Sequence, residues 1–191
     1  MNFTKLVNRI RKEKNLSNEV PGFDPKNGNE RAKYLFLFEA PGARAVKTGQ
    51  ISFENPDPTA RNFRSQLAAA GITREEIALW NTVPWYIGNK ERTSIRAAKG
   101  ADVQAGIKYL KPLVSAMTNL RCIVLVGGAA RKAHVFLSHV TTARIVSCHH
   151  TSARVKNSSP KAAKENIDVF RFVKQSTWAR GANNSLQARR P

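Results

Sequence analysis

Tyr34-Leu35-Phe36-Leu37-Phe38-Glu39-Ala40-Pro41-Gly42 is the stretch on which the reading of this 191-residue chain turns. Five consecutive apolar residues lack the alternation of a half-exposed strand, so the run reads as a buried strand, ended by Pro41 and Gly42. Three similar runs lie outward from it. Residues 77–80 leave through Asn81-Thr82-Val83-Pro84-Trp85, residues 121–126 precede Gly127-Gly128, and residues 143–148 deliver His149 and His150. Helical spacing fills the intervals: 60–70 with Phe63, Leu67 and Ala70, 102–118 with a kink at Pro112, 129–138, and 160–174 with Ala163, Ile167, Phe170 and Val173. Strands alternating with helices predict a three-layer α/β/α domain around a central four-stranded parallel sheet. Such sheets bind ligands at the carboxyl ends of their strands. Glu39, Asn81 and His149 each follow one of these strands.

The spacing of Phe3, Leu6, Val7 and Ile10 predicts a basic helix within residues 1–19. The domain is placed at 20–175, and a basic, flexible tail at 176–191. The chain carries 32 Lys and Arg against 13 Asp and Glu, a net charge of +19. That excess points to a polyanionic partner, with nucleic acid first. Cys122 and Cys148 lack metal-binding spacing, so neither a metal nor another cofactor is expected. Gly127-Gly128 lacks the lysine of a phosphate-binding loop. Neither a signal peptide nor an apolar run of about 20 residues is visible, so a cytosolic chain without a membrane partner is expected.

Four motifs in order resemble those of the uracil-DNA glycosylase superfamily. Phe38-Glu39-Ala40-Pro41-Gly42 is similar to its GEAPG loop, and Leu79-Trp80-Asn81-Thr82-Val83 to its LLNTV stretch. His149-His150-Thr151-Ser152-Ala153-Arg154 resembles a divergent HPSP loop. Gly49-Gln50-Ile51-Ser52-Phe53 resembles the segment whose phenylalanine stacks on the extruded base. Phe38 stands in place of a glycine, His150 and Thr151 in place of proline and serine, and the cysteines of the iron–sulfur branches are absent. The resemblance implies an outlying, cluster-free bacterial branch, a monomer of the bacterial cytosol or nucleoid. It would release uracil from single- or double-stranded DNA in base excision repair and leave an abasic site.

The chemistry of the residues runs parallel to that resemblance. An enzyme acting on a base must take it out of the stack, and an aromatic face restores roughly 1–3 kcal/mol. Phe53 is the candidate, with Ala40, Pro41 and Gly42 lining the base site. The amide of Asn81 matches the N–H and carbonyl by which uracil differs from cytosine. His149, favoured over His150 by motif alignment, would donate to the uracil carbonyl as negative charge develops. For the carboxylate that activates water, Glu39 and Asp57 remain open, with Glu54 as a further alternative, because Ala40 occupies the position of the strong carboxylate in other branches. Phosphate contacts are assigned to His150, Thr151, Ser152, Arg154 and Lys156, and the resemblance implies a wedge from residues 153–156, with Arg154 as the plug for the vacated stack. Lys90, Arg92 and Arg96 form a second basic loop. A non-cleaving nucleic-acid-binding module of the same fold, or a glycosylase for hypoxanthine or a thymine mispair, are the alternatives.

Overall fold

The computed structural model describes residues 1–175. The notional tail at 176–191 lies outside the described residues. Strand β1 (Gly22–Phe23) pairs in parallel with β3 (Gln50–Ile51) in a small separate sheet. The main sheet comprises β2 (Tyr34–Phe38), β4 (Ile77–Asn81), β5 (Cys122–Val126) and β6 (Arg144–Cys148), all parallel, in the order β4-β2-β5-β6. Each of its four strands is one of the apolar runs in the sequence. β4 and β5 are buried at every position, which is why they do not alternate.

Side chains of one strand point alternately to the two faces. Phe36 meets Phe63 of α3 (Pro58–Ala69) edge-on at 5.0 Å and Phe170 of α9 (Ala162–Gln175) at 5.1 Å. On the opposite face Trp80 stacks on Phe23 at 4.2 Å, and Phe23 on Phe3 of α1 (Phe3–Lys14) at 4.0 Å. Helices therefore cover both faces. The side chain of Asn2 caps α1 by accepting from Lys5 N at 2.8 Å, and Asn15 ends it in the left-handed region.

The helix expected over 102–118 is two helices, α4 (Gly100–Ile107) and α5 (Leu110–Ala116). The break comes before Pro112, where Tyr109 N bonds back only three residues to Gly106 O at 3.1 Å. Pro112 sits in the first turn of α5, where a missing N–H costs little. The helix expected over 129–138 is likewise split into α6 (Gly128–Arg131) and α7 (His134–Val140), with Ala133 N bonded to Ala130 O at 3.0 Å. Two short helices have no counterpart in the periodicity, α2 (Ala43–Thr48) and α8 (Ala153–Ser158).

Glu76 closes a 3₁₀ turn (Arg74–Glu76) ahead of β4, with its carboxylate 3.0 Å from Lys33 Nζ and 2.5 Å from Lys174 Nζ. Burial pushes its pKa up. The hydrogen bonds from Lys174, Thr73 N and Lys33 outweigh burial and hold it at about 2, against an ordinary 4.5. A depressed folded pKa stabilises the fold above pH 4.5 and loses that contribution as pH falls towards 2. Urea titrations of Glu76→Gln should show a protein destabilised at pH 7, with the gap to wild type closing between pH 4.5 and 2. A gap constant across that range would refute this account.

Candidate active site

The carboxyl ends of the strands are joined in pairs. β2 and β4 leave in register at Phe38 and Asn81. Beyond that point Thr82 donates to Phe38 O from both its N (2.8 Å) and its Oγ1 (3.0 Å), and Val83 N donates to Glu39 O at 2.9 Å. α4 lies against this exit so closely that a Cβ on Gly106 would meet Thr82 O at 2.1 Å. On the other half of the sheet Gly127 N donates to Cys148 O at 3.1 Å, tying the exit of β5 to that of β6. Between the two ties opens a cleft of about 810 Å³. The first loop contributes Glu39, Ala40, Pro41 and Gly42, and the next contributes Phe53 and Asp57. Asn81 lies at the end of β4, and His150, Ser152 and Arg154 come from beyond β6.

Asn81 is only 3% exposed, and its Nδ2 finds no hydrogen-bond partner among the described residues. A buried donor left unpaired costs about 1–3 kcal/mol, a condition that Trp80 Nε1 beside it shares; of the two residues only Asn81 lines the cleft. Phe53 is half-buried, with the Arg74 guanidinium 4.9 Å from its ring centre. Arg74 also bonds Asp24 and Glu54, and Ser52 bonds Asp24, so the residues on both sides of Phe53 are anchored.

The two adjacent histidines part company. His149 does not line this cleft. Its Nε2 is 2.6 Å from Glu165 Oε2 in a separate pocket beside α9, and its backbone is clasped by Asn166, whose Oδ1 accepts from His149 N (2.8 Å) and whose Nδ2 donates to His149 O (3.1 Å). His150 lines the cleft instead and meets Phe38 edge-on at 6.0 Å. Ser152 N donates to its Nδ1 at 3.1 Å, which leaves the ring proton on Nε2. Burial pulls the His150 pKa down, opposed by the charge of Glu39. Gly127 makes room for this ring: its φ is +87°, and a Cβ there would lie 3.0 Å from His150 Cβ. Motif alignment favours His149, whereas the histidine that lines this cleft is its neighbour His150.

Of the carboxylates, Glu39 accepts from Ala98 N through Oε1 at 2.6 Å. Asp57 spends Oδ1 on capping α3, accepting from Ala60 N at 2.9 Å. Glu54 is turned to Arg74 and is not part of the lining. Among the expected phosphate contacts, Thr151 is buried and donates to Thr59 O at 3.2 Å, so its hydroxyl serves the fold. Arg92 bonds Glu19 at 2.7 Å, and Arg96 is held by both oxygens of Asp102 at 2.6 and 2.9 Å. Lys90 and Lys156 are exposed outside the cleft, and Arg154 is exposed on its rim. Among the described residues no group of three His, Cys, Asp or Glu is placed to hold a metal ion, and no helix is long and apolar enough to cross a membrane.

Of three positioning contacts, two escape a sequence reading. The amides of Ala98 and Ser152 carry no residue signature. Asn166 does leave a trace, as a polar residue in phase with buried Ala162, Phe170 and Val173.

The sequence matches the family description "Uracil DNA glycosylase superfamily" over residues 25–174. A solution NMR structure of a provisionally assigned uracil DNA glycosylase from Methanosarcina acetivorans superposes with a TM-score of 0.52 at 18% identity. The match covers 81% of this chain and 98% of that one. At that identity the likeness concerns the fold alone. No curated protein matches the sequence.

The surroundings of His150 have a spectroscopic consequence. Two-bond ¹H–¹⁵N correlation spectra should show it neutral at pH 7 with the proton on Nε2, titrating below 6.5. A proton on Nδ1 would contradict the Ser152 contact.

Proposed function

Because the chain belongs to the uracil DNA glycosylase superfamily, we propose that it is a monofunctional uracil-DNA glycosylase acting through the cleft at the carboxyl ends of the sheet. The unpartnered, buried Nδ2 of Asn81 carries this reading. Uracil presents a carbonyl at C4 where cytosine presents an amino group. Nδ2 would donate to that carbonyl while Oδ1 accepts from the ring N3–H. Cytosine would set donor against donor and acceptor against acceptor, a mismatch that sites built for hydrogen bonding reject strongly.

In the reaction the uracil stacks on Phe53. The bond between C1′ and N1 breaks with its electron pair passing to the base. His150 Nε2–H donates to O2 of uracil, where the negative charge gathers, and a neutral donor held in one tautomer does this without reorganising. Glu39, fixed through Oε1 by Ala98 N, would face the positive sugar with its second oxygen and accept the proton of the water that adds to C1′. Asp57, which also lines the cleft with one oxygen engaged in capping α3, is the alternative, and the charge of Glu39, unlike that of Asp57, acts directly on His150. Duplex or single-stranded DNA would be held by the rim around Arg154 and by the overall charge of +19.

Alkaline cleavage of end-labelled oligonucleotides containing one uracil tests this. Asn81→Ala and His150→Ala should each lower kcat by about 10²–10³, the usual effect of removing one transition-state donor. His149→Ala should stay within about tenfold of wild type, since its ring lies outside the cleft. Collapse on loss of His149 with His150→Ala unaffected would overturn the assignment, and release of hypoxanthine in place of uracil would change the substrate.

A further inference from the structure

Phe38 ends β2 at the position where the resembled loop begins with glycine. It stands in register with Asn81 on β4, and its ring meets that of His150 edge-on at 6.0 Å. A second edge-on contact, with Phe63 of α3 at 5.2 Å, fixes the ring from the other side. The strand order β4-β2-β5-β6 sets Asn81, then Phe38, then His150 across the end of the sheet, and all three line the cleft. Phe38 therefore lies between the amide assigned to reading the base and the imidazole assigned to donating to it.

The imidazole of His150 is enclosed from several directions. Ser152 N holds its Nδ1, and Gly127 approaches so closely that a Cβ there would lie 3.0 Å from His150 Cβ and 3.1 Å from its Cδ2. Phe38 supplies the apolar wall on the side of β2, where a glycine would leave the ring open to water in the cleft. Two influences on the ring proton oppose each other. The charge of Glu39 favours the cation, burial disfavours it, and burial prevails. The other charged groups near this turn are engaged elsewhere: His149 with Glu165, Arg131 with Cys148 O, and Asp57 with the cap of α3, while Arg154 is exposed on the rim. A cationic His150 would pair with Glu39 and occupy the carboxylate that the reaction requires.

Resting on the glycosylase reading above, we infer that Phe38 is a positioning residue for His150: its ring shields the imidazole from water and holds it in the neutral form that donates to the leaving base without pairing with Glu39. Phe38 acts through His150 and forms no bond with the reacting atoms. A glycine, having no side chain, cannot do this, so the exchange of glycine for phenylalanine at this position gives the cleft a property of its own.

Two-bond ¹H–¹⁵N titrations of His150 in wild type, Phe38→Leu and Phe38→Ala test this, beside uracil release from an oligonucleotide containing one uracil. The imidazole pKa should rise in that order as the wall shrinks. Phe38→Ala should lower kcat by about ten- to a hundredfold, the scale on which a displaced reacting group is felt, and Phe38→Leu by less. In a His150→Ala background the same Phe38→Ala change should cost less than about twofold, because a positioning residue acts through the group it positions. Phe38→Leu keeps an apolar side chain against Phe63, so it carries the titration if Phe38→Ala does not fold. A His150 titration unchanged in the variants, or an equal loss of kcat with and without His150, would overturn the inference. A wild type that releases no uracil would instead refute the glycosylase reading, with the titrations still deciding whether Phe38 controls the imidazole.

Discussion

Everything in the cleft depends on the hydrogen bonds that join the exits of neighbouring strands. Backbone leaving a parallel sheet has no ladder to satisfy it, and buried groups there must find partners. Thr82 and Val83 supply them for β2 and β4, and Gly127 does so for β5 and β6. These bonds end the sheet cleanly and hold Glu39, Asn81 and His150 around one cavity, although they lie far apart in sequence. Deep burial of Thr82 and the tight seat of Gly106 against it show how little freedom that junction has.

The electrostatics follow the same economy. Much of the loop charge is consumed internally, Arg92 by Glu19, Arg96 by Asp102, and Arg74 by Asp24 and Glu54. A count of basic residues along the sequence overstates what faces a ligand. The cleft sets the neutral donors Asn81 and His150 among charged residues of both signs, Glu39 and Asp57 with Arg44, Arg96 and Arg154.

The four main strands were legible because apolar runs buried on two faces leave a strong mark, and the order of helices between them implied the parallel sheet. Two-residue strands such as β1 and β3 are too short for any period to register. The splits at Tyr109 and Ala133 arise from three-residue hydrogen bonds, and nothing in apolar spacing marks them. The histidines show the sharpest limit. Adjacent residues beyond a strand diverge to different sides, so a one-residue ambiguity in a motif sends one ring to the cleft and the other to Glu165. Only the contacts of Ser152, Gly127 and Asn166 decide between them.

The strand order also governs how the chain can assemble. β2 is translated first among the four main strands, yet it lies inside the sheet, and both its neighbours come later, β4 at residues 77–81 and β5 at 122–126. Synthesis at about 5–20 residues per second leaves this run of five apolar residues without its second partner for several seconds. Contacts so distant in sequence also slow folding once the chain is complete. The heavy positive charge spread along the chain then acts during biogenesis, since mutual repulsion keeps nascent copies apart while Tyr34–Phe38 waits for its neighbours.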